Sequence, residues 1–256
     1  FFLKFENSGA MGTDSSGNSN TFTVNNSVTQ NVDTPSNNFA TLNVLARQFT
    51  AQMTSTANGN TTLTSYGDNN WGTLLSTIGA SSGKYYCEAK LSALGSYARP
   101  GICDMSVNEQ SSTSSWFLGQ TSSSAQYSYN SGNGNLYTNA GDSSYGNTFT
   151  TGDIIGIAMD LDNSKLYFSK NGTYQNSGVP TSGSTGTGAT SITAGKTYGF
   201  GFSGYNSTVW NVNFGQGYFG TTAVASAGTA PSEGGIFEFD CPSGYQSLCT
   251  KGINSF

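Results

Sequence analysis

Gly152-Asp153-Ile154-Ile155-Gly156-Ile157-Ala158-Met159-Asp160-Leu161-Asp162-Asn163-Ser164-Lys165-Leu166-Tyr167-Phe168-Ser169-Lys170-Asn171-Gly172-Thr173-Tyr174 reads as three strands joined by two turns. Ile155, Ile157, Met159 and Leu161 alternate with smaller or polar residues, so one face of a strand can be buried. Asp162-Asn163-Ser164 supplies residues that accept tight backbone geometry, and Leu166 and Phe168 resume the alternation. Asn171-Gly172 fits a type I′ hairpin turn before Thr173-Tyr174, which makes the segment an antiparallel meander.

The pattern continues outward. Tyr85, Cys87, Ala89 and Leu91 point to one side of a predicted strand, with Tyr86, Glu88 and Lys90 on the other. Trp210, Val212 and Phe214 share a strand face, and Trp116 is expected in the core. Further short strands are predicted at Thr61–Thr64, Ala125–Tyr129 and Ile236–Phe239. Helix starts are weak, near Leu45–Gln52 and Thr221–Ser226, and Thr181–Thr190 reads as a mobile surface loop. Many short strands without helical periodicity predict an all-β, two-sheet antiparallel β-sandwich with little helix. Its expected divisions are a polar arm at 1–38, the sandwich at 39–222, and a return strand and tail at 223–256.

These segments resemble the SPRY family. The carriers are Gly152-Asp153-x-Ile155-Gly156, Asp160-Leu161-Asp162 and Lys170-Asn171-Gly172, with Gly83-Lys84-Tyr85-Tyr86 before them and Tyr198-Gly199-Phe200-Gly201 and Val212-Asn213-Phe214-Gly215 after. The resemblance spans roughly residues 76–217 and implies a lectin-like sandwich that binds partners through loops at one end. The flanks, from Ala10-Met11-Gly12-Thr13-Asp14 through Phe39-Ala40-Thr41-Leu42 and closing with Phe239-Asp240-Cys241-Pro242-Ser243-Gly244-Tyr245, are similar to segments around SPRY domains in bacteriophage virion proteins. That similarity implies a tail-fibre or adhesin module on a virion. Its partners would be other virion proteins and a host-surface glycan or protein, in a homo-oligomer within the assembly. A capsid decoration or head-fibre role is the alternative. The missing initiator Met suggests numbering that begins inside a longer polypeptide.

Composition narrows the chemistry. Charged residues make up 9% of the 256, the formal net charge is −5, and no Lys/Arg cluster occurs, so nucleic-acid binding is not expected. No apolar run approaches the ~20 residues needed to cross a bilayer, so membrane insertion is not expected. With no His, the commonest acid–base group is missing, and no catalytic set or cofactor is expected. Asp160 and Asp162 share a strand face, yet both flank a turn where Asp commonly caps backbone amides. A calcium loop would continue with further ligands and a bidentate Glu, whereas Lys165 follows here, so no metal is expected. Asp14 with Asn18 and Asn20 forms another weak oxygen-rich cluster.

Cys87 and Cys103 would face each other in a hairpin centred near Gly95, either as a disulfide or as two small buried apolar residues. Cys241 and Cys249 flank Pro242-Ser243-Gly244-Tyr245 and could close that loop. Recognition of a glycan or partner needs an aromatic platform with amide and carboxylate groups. Tyr97 with Arg99, Tyr205 with Asn206, and Tyr145 near Asp142 are the candidates. The same tyrosines also fit ordinary solvent-facing positions at strand ends.

Overall fold

The computed structural model describes the chain except residues 6, 8, 26–27, 29–32, 35, 46–52, 68, 107–116, 121–124 and 139–140. The strands, in chain order, are β1 (Met53–Ala57), β2 (Thr62–Ser65), β3 (Trp71–Leu75), β4 (Lys84–Ala93), β5 (Tyr97–Asp104), β6 (Gln126–Tyr129), β7 (Asn135–Thr138) and β8 (Gly141–Ser144). They continue with β9 (Ile154–Asp160), β10 (Lys165–Lys170), β11 (Thr173–Tyr174), β12 (Thr190–Ser191), β13 (Tyr198–Tyr205), β14 (Val209–Asn213), β15 (Tyr218–Phe219), β16 (Thr222–Ala223) and β17 (Gln246–Ser247). A single turn of helix, α1 (Thr250–Ile253), closes the chain.

The chain divides into two compact units, residues 1–34 and 35–256. In the first, Asp14 organises a turn by accepting the backbone N–H groups of Phe2, Ser16 and Asn20 at 2.8–2.9 Å. The Ser16 side-chain hydrogen bond first, and then those backbone bonds, hold its carboxyl well below the usual carboxylate range, so Asp14 of the oxygen-rich cluster serves this turn.

The second unit is a sandwich. Its first sheet runs β1-β2-β14-β4-β9-β10-β11, with β12 on β10 and β17 parallel to β4. Its second sheet runs β3-β13-β5-β6-β7-β8. The β9–β10 hairpin pairs Asp160 with Lys165 and Ile155 with Lys170, as the alternation in the quoted segment requires. Asn171 (φ 48°) and Gly172 (φ 80°) both lie in the left-handed region that a type I′ turn needs. Tyr85, Cys87, Ala89 and Leu91 of β4, Ile155, Ile157 and Met159 of β9, and Trp210, Val212 and Phe214 meet Ile102, Tyr127, Phe200 and Phe202 of the opposite sheet in one core. Burial of such side chains contributes roughly 1.5–3 kcal/mol each. Trp116 and most of the weak helix at 45–52 lie outside the described residues.

Several local expectations change. The Gly95 connection crosses from one sheet to the other, so β4 and β5 are not a hairpin, and Cys87 and Cys103 do not face each other. Cys87 lies between the sheets, whereas Cys103 packs with Leu75 and Leu118 on the far side of the second sheet. All four cysteines are free thiols. Cys241 joins a second cluster and Cys249 caps α1, its Sγ accepting from the Gly252 N–H. Residues 236–239 form no strand beyond an Ile236–Gln216 bridge, and Thr222–Ala223 is strand rather than helix. The Ser/Thr/Gly tract begins as a 3-10 turn, pinned by the Tyr245 hydroxyl donating to the Pro180 carbonyl.

The 236–245 segment covers the outer face of the first sheet. Phe237, Cys241 and Tyr245 pack on Tyr86, Ala158 and Tyr167. Glu88, fully buried, anchors the segment by accepting the N–H groups of Glu238 (2.8 Å) and Phe239 (2.9 Å) and the Tyr86 hydroxyl (3.0 Å).

Candidate functional site: an arginine in an aromatic cavity

On β5 the alternation buries Ala98 and Ile102 in the core and turns Tyr97 and Arg99 to the outer face of the second sheet. Neighbouring strands supply that face with Trp71 at the start of β3, Tyr205 at the end of β13 and Tyr137 on β7. Residues 117–120 cross it, fixed by the Leu118 N–H donating to Ser203 Oγ (3.0 Å), the Ser128 hydroxyl donating to the Leu118 carbonyl (2.5 Å), and the Gly119 N–H donating to Gln126 Oε1 (3.0 Å). This crossing lays Phe117 over Arg99.

The result is a cavity of about 560 Å³ at one end of the sheet. Its base holds Trp71, Arg99, Phe117 and Tyr137; Tyr97 and Tyr205 flank it, and Asn69, Asn130, Gly132 and Asn133 form the rim. The Arg99 Cζ lies 3.5 Å from the Phe117 ring centre, 3.9 Å from that of Tyr137 and 5.0 Å from that of Trp71. Trp71 also packs against Tyr205 at 5.2 Å. Arg99 is only 6% exposed, and its Nε and Nη1 have no hydrogen-bond partner among the described residues. Burial draws the guanidinium down to about 10, against the opposing pull of the Tyr137, Tyr97 and Asp142 oxygens, so it stays charged at neutral pH. Cation–π contact offsets part of the desolvation, about 2 kcal/mol when water is excluded.

Of the residues singled out in the sequence, Tyr97, Arg99 and Tyr205 come together here. Asn206 sits beside the cavity in a turn, its Nδ2 donating to Ser96 Oγ. Asp142, opposite Tyr137 on β8, is exposed and accepts from Asn135 Nδ2 at 2.7 Å. Tyr145 is a correction: it is 7% exposed and belongs to the core, where its hydroxyl accepts the Phe168 N–H at 3.0 Å. Trp71, Phe117 and Tyr137 escaped the sequence reading, because only sheet pairing brings them to Arg99. The Tyr97-x-Arg99 spacing was the one available signal of a shared outer face.

The carboxylates at the β9–β10 turn are occupied. Asp160 accepts from the Asn163 backbone N–H (3.0 Å) and Nδ2 (2.8 Å) and pairs with Lys84 at 3.3 Å. Asp162 accepts the Gly83 N–H at 2.7 Å. Both work as turn and strand fasteners.

Residues 84–192 match the sequence model of the SPRY domain family. A Drosophila melanogaster protein named Ran-binding proteins 9/10 homolog is 32% identical over 96 residues, covering 37% of this chain and 10% of that protein. Ran-binding protein 9 of Danio rerio is 33% identical over 96 residues, covering 37% of this chain and 15% of its own length. The chain thus spans a small fraction of these relatives. Among solved structures, the SPRY domain of human HERC1 is similar at 20% identity and TM-score 0.45, covering 59% of this chain and 87% of that one. Stonustoxin is similar at 15% identity and TM-score 0.49, covering 68% and 27%. SPRY domains are protein-interaction modules and are generally non-catalytic.

Proposed function

We propose that this chain is a non-enzymatic recognition module that binds a protein partner at the cavity around Arg99. The observation that carries the reading is a charged, 6%-exposed guanidinium with unpaired donors at the base of an open, aromatic-walled cavity. A buried charge with unfilled donors costs stability, and its presence at a concave surface marks a place where a ligand supplies the missing acceptors. Rigid support from four strands and the 117–120 crossing keeps the site preorganised, which lowers the entropic cost of binding. The test is selection of a random displayed peptide library on the full chain, with recovered binders re-measured on Tyr97→Ala. Tyr97 is 45% exposed, so its truncation leaves the fold intact. Binders weakened about tenfold or more support the reading; binders indifferent to the substitution place recognition elsewhere.

The finer role, a tail-fibre or adhesin module of a bacteriophage virion with several copies per particle, draws its support from the flanking segments at 10–43 and 239–250. Multiple copies would multiply a weak single-site affinity. Immunogold labelling of particles with antibody to this chain tests it: label at the tail tip supports an adhesin, label on the capsid favours the decoration role, and unlabelled particles remove both.

A further inference from the structure

We propose that the cavity takes the carboxylate of an Asp or Glu side chain from an extended peptide segment, held against the Arg99 guanidinium. The proposal rests on the reading of this cavity as the partner site and names the chemistry it selects.

The cavity is rich in donors and poor in acceptors. Phe117, Tyr137 and Trp71 satisfy the faces of the guanidinium, but its in-plane Nε and Nη1 donors lack acceptors among the described residues. On the rim, Asn130 Oδ1 already accepts the Gly132 N–H (3.1 Å) and Asn133 Oδ1 the Asn135 N–H (3.0 Å), which leaves their Nδ2 groups as donors. No carboxylate lines the cavity among the described residues, and Asp142 is engaged by Asn135. An acceptor-bearing anion is the complement. A single cation lines the site, so a monoanionic carboxylate fits better than a dianionic phosphate. The source is a peptide rather than an acidic sugar because the Trp71 ring is 6% exposed, packed on Arg99, Phe117 and Tyr205. Among the lining rings Tyr97 alone is exposed, at the flank and not at the base where a sugar ring would stack, whereas the amide rim offers donors to peptide carbonyls.

The experiment uses synthetic copies of a peptide selected on the full chain, with each Asp or Glu replaced in turn by Asn or Gln, measured by calorimetry. One acidic position should weaken binding about thirtyfold or more when amidated. On Arg99→Met, the acid and amide forms of that peptide should bind alike. If Arg99→Met fails to fold, the peptide replacements on the native chain still decide. Binders that need Tyr97 but tolerate every amide replacement overturn the carboxylate proposal and leave the recognition reading standing. Arg99-dependent binding of polygalacturonate, with no peptide affinity, overturns the peptide source. Recovery of no cavity-dependent ligand of either kind overturns both.

Discussion

At the residue scale, Arg99 and Glu88 are buried ionisable groups that no ion pair among the described residues offsets. Arg99 bears a desolvation cost of several kcal/mol, against about 2 kcal/mol returned by its ring contacts. Arg99→Met keeps the stem between the rings and removes the unpaired donors. It should raise unfolding free energy by about 1 kcal/mol in urea titration; a loss of stability would show that the guanidinium is satisfied as it stands. Glu88 lies on the opposite side of the sandwich. Burial dominates over its three hydrogen bonds and pushes its carboxyl up to about 7 from an ordinary 4.5. The folded state therefore holds a proton between those values that the unfolded state has released. Stability contributed by this group is complete below about pH 4.5, falls on the order of 3 kcal/mol as pH rises through about 7, and is flat above. Denaturant titrations across that window should show the slope in the native chain and its absence in Glu88→Gln.

At the element scale, the cavity depends on a loop lying flat on a sheet. Gly201 allows this, since a Cβ there would come 2.8 Å from Leu75 Cδ2 and 3.1 Å from Leu118 Cδ2. Gly201→Val should lift Leu118, move Phe117 off Arg99 and cost about 1–3 kcal/mol, with peptide affinity falling in parallel by calorimetry. Strands were legible wherever alternation was local: Tyr85 to Leu91, Ile155 to Met159 and Trp210 to Phe214 all bury the face the sequence assigns. Partner choice between strands was not legible. Residues 84–91 and 98–104 read as a hairpin because they are adjacent in sequence, yet they join opposite sheets, and the Cys87–Cys103 pairing fails with them. The cavity was half legible for the same reason. Tyr97 and Arg99 share a strand, whereas Trp71, Phe117 and Tyr137 arrive from β3, a crossing loop and β7. Residues 236–239 alternate like a strand but are held by Glu88, a side-chain contact that no periodicity announces.

At the scale of the second unit, the two sheets are treated differently. The first is covered on its outer face by 236–245, while the second carries the 117–120 crossing on its outer face with the cavity beside it. Phe237→Ala should cost about 3–5 kcal/mol in equilibrium unfolding, since Phe237 is 1% exposed against Tyr86. The four buried free thiols should react with a thiol reagent only after denaturation, and without prior reduction; fewer than four would reveal an oxidised pair. One further consequence follows from how the unit is closed. Near its two ends, the Ala40 N–H donates to the Leu248 carbonyl and the Thr250 N–H to the Asn38 carbonyl, in an antiparallel bridge of Phe39 with Cys249. Both chain ends leave this bridge on the same side. Tension applied through them would open its hydrogen bonds one after another, like a zipper, and would pass next to the end of β3, where the Asn43 N–H donates to the Leu75 carbonyl.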